Sequence, residues 1–170
     1  YDFGNDVVAN IGPTPFKLNS VNQLIQNGGF EIINGQWGMT GETAQLGNVA
    51  EAQYYKSFLG NRFARLGGKG SSHISTLYQL VNIPGNAQTV KLSFRVRAET
   101  DDYTNADYLQ ARVVSQGGVV LANLGSVFAT ENTQTASNWK GYAKRVFDLT
   151  AYKGQIVKIE FRCVENSSLK

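Results

Sequence analysis

The sequence predicts an all-β protein, an antiparallel two-sheet sandwich of jelly-roll type with an extended N-terminal arm. Three observations predict it. Apolar and polar residues alternate strictly in VKLSFRVRA (90–98) and in VKIEFRC (157–163), and a period of two marks a half-buried strand. Shorter segments of the same kind recur between glycine, proline and asparagine turn signals. No segment carries a long 3.6-residue period and no internal repeat is present, which leaves many short strands packed as a sandwich.

Residues 1–21 form the arm. YDFGNDVVANIGPTPFKLNS does not alternate cleanly and holds two of the three prolines, as an extended arm or linker does. The sandwich occupies residues 22–170. Its early strands are QNGGFEI around Phe30, RFARL (62–66) and ISTLYQLVNI (74–83). In the strand from Val90, the residues Val90, Leu92, Phe94, Val96 and Ala98 share one face, and Lys91, Ser93, Arg95 and Arg97 the other. YLQARVVSQGGVVLANLG is a hairpin, with Gly117 and Gly118 supplying the positive φ of a tight turn. YAKRVFDL (142–149) follows. The closing strand turns Val157, Ile159, Phe161 and Cys163 inward, which makes Cys163 a small core residue rather than a reactive thiol. Gly67–Gly68, Pro84–Gly85–Asn86, Asn105 and Gly154 separate the strands.

Composition sets the outer bounds. A chain of 170 residues, 42% hydrophobic, builds one sizeable core and is not disordered. No apolar run approaches the roughly 20 residues that cross a bilayer. Charge is sparse at 17%, with a net of +3, and the basic residues are spread singly along the chain. A nucleic-acid binder gathers such charges on one face with stacking aromatics between them, so a solvated surface of mixed sign is the reading adopted. One cysteine excludes an internal disulfide and leaves the compartment open. The start at Tyr1 fits a processed secreted protein or an excised domain, and the low charge with abundant Asn, Gln, Ser, Thr and Gly fits an extracellular bacterial surface.

The residues for catalysis are missing. His73, the single histidine, excludes a histidine-rich metal site, and it sits in GSSHIS as a solvated strand-entry residue. No G-x-S-x-G elbow exists to hold a nucleophilic serine. Paired carboxylates serve glycosidases, but Glu42, Glu51, Asp101, Asp102, Asp107 and Glu131 fall mostly in loops and no spacing brings two together. Gly67-Gly68-Lys69-Gly70 lacks the GK[ST] and the helix of a phosphate loop. The chain is read as no enzyme.

One resemblance spans roughly residues 22–169. NGGFE (27–31), Trp37, FARLGG (63–68), LYQLVNIP (77–84), KLSFRVRAE, ADYLQARVV, VLANL and then W(x)7FDLTAYKGQIVKIEFR from Trp139 to Arg162 follow in order. This order resembles the carbohydrate-binding-module-like jelly rolls, related to galactose-binding and MAM-type domains of secreted bacterial proteins. The resemblance implies a structural calcium site that uses Glu31, with Asn27 of the same segment and nearby backbone oxygens. It implies a structural role for Trp139 and for the corner Asp148-Leu149-Thr150-Ala151-Tyr152. Members of the family continue past such a C-terminal turn into one more strand, which supplies a second acidic calcium ligand; here the sequence ends at Lys170. An open slot in the sandwich is therefore expected, filled by a further strand, by this chain's arm or by the arm of another copy.

Two functions follow. The first is a non-catalytic carbohydrate-binding or adhesion module at the cell surface. Exposed aromatic faces and planar amides or carboxylates grip sugars, and the candidates are Trp37, Tyr54, Tyr55 and Tyr103, all but Trp37 in expected loops. Each could instead cover the sandwich edge. The second is a self-assembling extracellular filament subunit, polymerising head to tail by N-terminal strand donation. The module is placed ahead because the family is mostly used that way.

Overall fold

The computed structural model describes residues 22–33, 35–47, 57–68, 71–98, 107–128 and 142–166. Within them run β1 (Gly38–Thr40), β2 (Thr43–Gly47), β3 (Arg62–Leu66), β4 (His73–Asn82), β5 (Lys91–Val96), β6 (Tyr108–Ser115), β7 (Val120–Phe128), β8 (Ala143–Asp148) and β9 (Ile156–Glu165). One 3₁₀ turn, Thr150–Tyr152, precedes β9. The fold is all-β and antiparallel, as the alternation requires. No helix among the described residues is long and apolar enough to cross a membrane.

One layer is a five-stranded sheet in the order β1-β4-β9-β6-β7. The other carries two ladders, β2–β3 and β5–β8. Strand parity fills the space between them. Leu77 and Val81 of β4, Val157, Ile159 and Phe161 of β9, and Leu109, Ala111 and Val113 of β6 meet Ala64, Leu66, Leu92, Phe94 and Val96 in one core cluster. Phe94 strikes Phe161 edge-on at 4.8 Å between ring centres, which ties the layers together.

Two polar residues interrupt the inward row of β4. Gln79 is 6% exposed, and its amide accepts the Gln26 N–H at 2.8 Å while donating to the Gln26 carbonyl at 2.9 Å. It therefore pairs with a backbone as a neighbouring strand would, which is how a buried amide avoids an unmet desolvation cost. Ser75 does the same for the Glu42 N–H at 2.9 Å.

The predicted strand around Phe30 is not a strand. Asn27 (φ 50°) and Phe30 (φ 60°) have left-handed backbones. The Asn27 side chain accepts the Ile32 N–H at 3.1 Å and donates to the carbonyls of Ile32 and Gly35. Asparagine tolerates positive φ and its amide imitates a peptide group, so it closes a loop where a ladder was expected. The loop drives Phe30 fully into the core. Conversely, β1 and β2 were not predicted, because GMTGETAQLG reads as turn chemistry. Gly41 (φ 65°) turns the chain between them, where a Cβ would come within 2.4 Å of the Ile74 carbonyl.

The hairpin forms where expected, with Gly118 and not Gly117 at positive φ. Gly118 has φ 91°, and Ser115 both donates to Val119 and accepts from Gly118. The corner after β8 also forms. The Asp148 carboxylate accepts the Thr150 N–H at 2.7 Å, the Thr150 hydroxyl accepts the Val90 N–H at 3.0 Å, and Leu149 is buried. The Thr150 hydroxyl and then the Thr150 N–H, both acting on the carboxylate and aided by Lys91, hold the Asp148 carboxyl below its usual range. The arm, residues 1–21, lies outside the described residues.

Candidate functional site

The five-stranded sheet has a second face, turned away from the core. Register lines up its side chains in rows across the strands. Tyr78, Glu160, Arg112 and Asn123 form one row, with Gly38 beyond Tyr78 on the edge strand. Thr40, Thr76, Arg162, Gln110 and Ser126 form the next. Neighbouring strands lie about 4.8 Å apart, so planar and hydroxyl-bearing groups succeed one another across the face at that interval.

Tyr78 is set in place by a glycine. A Cβ at Gly38 would fall 2.2 Å from the Tyr78 Cζ and 2.5 Å from its Cε2. The ring thus lies across the bare backbone of β1, a platform that no residue with a side chain would leave open. The Lys158 ammonium stands 4.7 Å from the ring centre.

Beside the ring, Arg112 donates through Nε at 2.9 Å and through Nη2 to the same oxygen, Oε1, of Glu160. The two side chains are 19% and 10% exposed, so the pair is shielded on an outward-facing surface and is held rigid. Arg162 reaches the Tyr108 hydroxyl at 3.4 Å, a weak contact. Thr40 and Thr76 join hydroxyl to hydroxyl at 2.6 Å. Apolar side chains border this polar centre: Leu80, Ile156 and Val120 at one end and Ile74 at the other, each between 43% and 51% exposed.

The residues singled out from sequence lie elsewhere. Trp37 is 7% exposed, stacked obliquely on Phe30 at 5.3 Å, and its Nε1 donates to the Asn27 carbonyl at 3.0 Å. It is a core residue and offers no stacking face to a ligand. Tyr54, Tyr55, Tyr103 and Trp139 lie outside the described residues. Glu31 accepts the N–H groups of Asn61 and Arg62 on one oxygen, Oε1, at 2.8 and 3.0 Å. With the Asn27 amide committed to Ile32 and Gly35, these two side chains staple a loop to the start of β3.

Calcium takes six to eight oxygen ligands. Among the described residues no three His, Cys, Asp or Glu side chains converge, and one oxygen of Glu31 and one lone pair of the Asn27 amide oxygen are taken by backbone N–H groups.

His73 is not the solvated residue its setting suggested. Its Nε2 lies 2.8 Å from Glu165 Oε2 and its Nδ1 2.7 Å from the Ser71 carbonyl, while Glu165 Oε1 accepts the Gly68 N–H at 2.9 Å. These contacts clamp the β3–β4 connection to the end of β9. Cys163 packs against the core, where burial, then the nearby Glu165 and Asp107 carboxylates, push its thiol up to about 12. It is an inert thiol at neutral pH.

No family model matches the chain, and no curated protein matches it. Solved structures do resemble it. The chain is similar to TmCBM61 in complex with β-1,4-galactotriose, at 15% sequence identity and a TM-score of 0.61, over 86% of this chain and 90% of that one. At that identity the likeness shows the fold alone, an antiparallel all-β sandwich.

The signal for the outward face was present in the sequence but unreadable as a site. Lys158, Glu160 and Arg162 alternate along β9, and Gln110 and Arg112 along β6. Alternation says only that they face away from the core. That the two strands are neighbours, in this register, is a property of the sheet.

Proposed function

We propose that this chain is a non-catalytic carbohydrate-binding module, working outside the cell, that holds a glycan on the outward face of its five-stranded sheet. The observation that carries the reading is the Tyr78 ring laid over Gly38 beside a row of fixed planar polar groups. A pyranose has an apolar C–H face for the ring and hydroxyls around its rim for Glu160, Asn123, Gln110 and Thr76. The Arg112–Glu160 pair is already ordered, so little side-chain freedom is lost on binding. The similar solved structure, a carbohydrate-binding module with a bound galactotriose, supports the same reading.

The test is calorimetric titration with a panel of soluble polysaccharides, for the wild type and Tyr78→Ala. A Kd on the order of micromolar to millimolar is expected, weakened in the variant at an unchanged melting temperature. Tyr54→Ala and Tyr103→Ala run in parallel, since aromatic loops are the competing location for the site. A panel without a single binder removes the reading. Self-assembly through residues 1–21 is tested separately, by sedimentation of the chain with and without them.

A further inference from the structure

Among the described residues the outward face carries more positive than negative charge. Arg112, Lys158 and Arg162 stand on it with one described carboxylate, Glu160. Arg112 takes that carboxylate. Among the described residues neither Lys158 nor Arg162 has an acidic partner: the lysine rests by the Tyr78 ring and the arginine by the Tyr108 hydroxyl. The neighbours of Arg162 across the ladder, Thr76 and Gln110, are neutral. Thr40, Asn123 and Ser126 complete the two polar rows without a further charge.

Two cations in excess, on a half-buried face, are a costly arrangement for a surface that binds a neutral sugar. Partial burial weakens screening by salt, so the surplus acts at short range on whatever occupies the face. A guanidinium offers paired N–H donors in the geometry of a carboxylate. Lys158 and Arg162 lie four residues apart on the same face of β9, about 13 Å along the strand. The ring of Tyr78 lies on the β4 side of that line and Gln110 on the β6 side.

Resting on the reading of this face as a glycan site, we infer that its ligand is a polysaccharide bearing carboxylates, a uronan. Arg162 takes one sugar carboxylate as a bidentate partner. Lys158, on its flexible stem, takes another where a sugar ring stacks on Tyr78. Thr76 and Gln110 are left to bind hydroxyls. Charge complementarity, not the neighbour's galactose, selects the class.

The experiment titrates the whole chain with polygalacturonate and with neutral β-1,4-galactan, in about 50 and about 300 mM salt, where the Debye length is about 14 and about 6 Å. The proteins are wild type, Arg162→Gln, Lys158→Gln, Tyr78→Ala and Lys153→Gln. Lys153 caps the 3₁₀ turn, outside the strands that build the face, and controls for net charge. Polygalacturonate is expected to bind about tenfold more tightly than galactan at low salt, a difference of about 1.4 kcal/mol. Arg162→Gln is expected to weaken polygalacturonate about fivefold or more, and Lys153→Gln less than about twofold. Melting temperatures of the variants check that each is folded.

Galactan binding as tight as polygalacturonate, weakened by Tyr78→Ala and indifferent to Arg162→Gln, overturns the uronan and leaves the glycan face standing. Equal losses from Lys153→Gln and Arg162→Gln reduce the attraction to net charge and also overturn it. Indifference of both polymers to Tyr78→Ala overturns the face itself.

Discussion

Replacing Gly38 by alanine separates the binding face from the fold. The new Cβ would start 2.2 Å from the Tyr78 Cζ. Carbon atoms rest at about 3.5–4.0 Å, so the ring must retreat by at least about 1.3 Å. The atoms struck are the far end of a surface side chain, and the ring can swing toward solvent without disturbing the core. The backbone at residue 38 lies in a strand and accepts alanine, which by itself gains about 0.4–1 kcal/mol through the unfolded chain. Lost ring contacts on β1 offset this, and the net change in stability should stay within about 1 kcal/mol, or about 2–4 °C for a domain of this size. Glycan affinity should nevertheless fall by the worth of an aromatic platform, about 0.5–1.5 kcal/mol, or roughly two- to twelvefold. Calorimetric titration beside a thermal melt reads both. The Gly38→Ala/Tyr78→Ala pair should bind no worse than Tyr78→Ala alone, since both changes remove one element. Full affinity in Gly38→Ala refutes the reasoning, as does additive loss in the double variant.

Three further outcomes follow from the same contacts. Gln79→Leu removes both hydrogen bonds to the Gln26 backbone and should cost about 1–2 kcal/mol in denaturant unfolding; an unchanged midpoint would mean that the segment is not held through this amide. Cys163 is protonated in the folded protein up to a pH of about 12, against a reference value of 9.0. Above pH 9 the unfolded chain therefore binds fewer protons than the folded one, and the thiol's contribution, full below pH 9, is lost as pH rises toward 12. Wild type should lose more melting temperature than Cys163→Ala between pH 8 and pH 11, and parallel curves would contradict the assignment. A chelator, or added calcium, should leave the melting temperature unchanged, because the Glu31 oxygen that meets the turn after Gly60 is satisfied by amides; a rise of several degrees with calcium would put a cation there.

Much of the fold was legible because burial leaves a period in the sequence. β4, β5, β6 and β9 each put one face in the core, and a pleat converts that into alternation. The segment around Phe30 was misread for a definite reason. Apolar residues that follow a glycine pair look like the opening of a strand, yet Asn27 spends its amide on the loop's own backbone. Trp37, offered as a sugar platform or as cover for the sandwich edge, is a core residue, and sequence cannot say which aromatic such a loop wraps. β1 and β2 were missed because they are three and five residues long and are paired to β4 and β3, partners that no local pattern reveals.

The sequence by itself determined that this is an antiparallel β protein, which residues of the long strands face inward, and where the hairpin turns. These are local consequences of backbone geometry and of moving apolar side chains out of water. The tertiary structure alone decided that basic residues scattered from 112 to 162 share one face, and that a glycine in β1 makes room for a tyrosine of β4. Neighbours in a sheet are chosen by ladder register across long loops, and that choice leaves no mark at either residue.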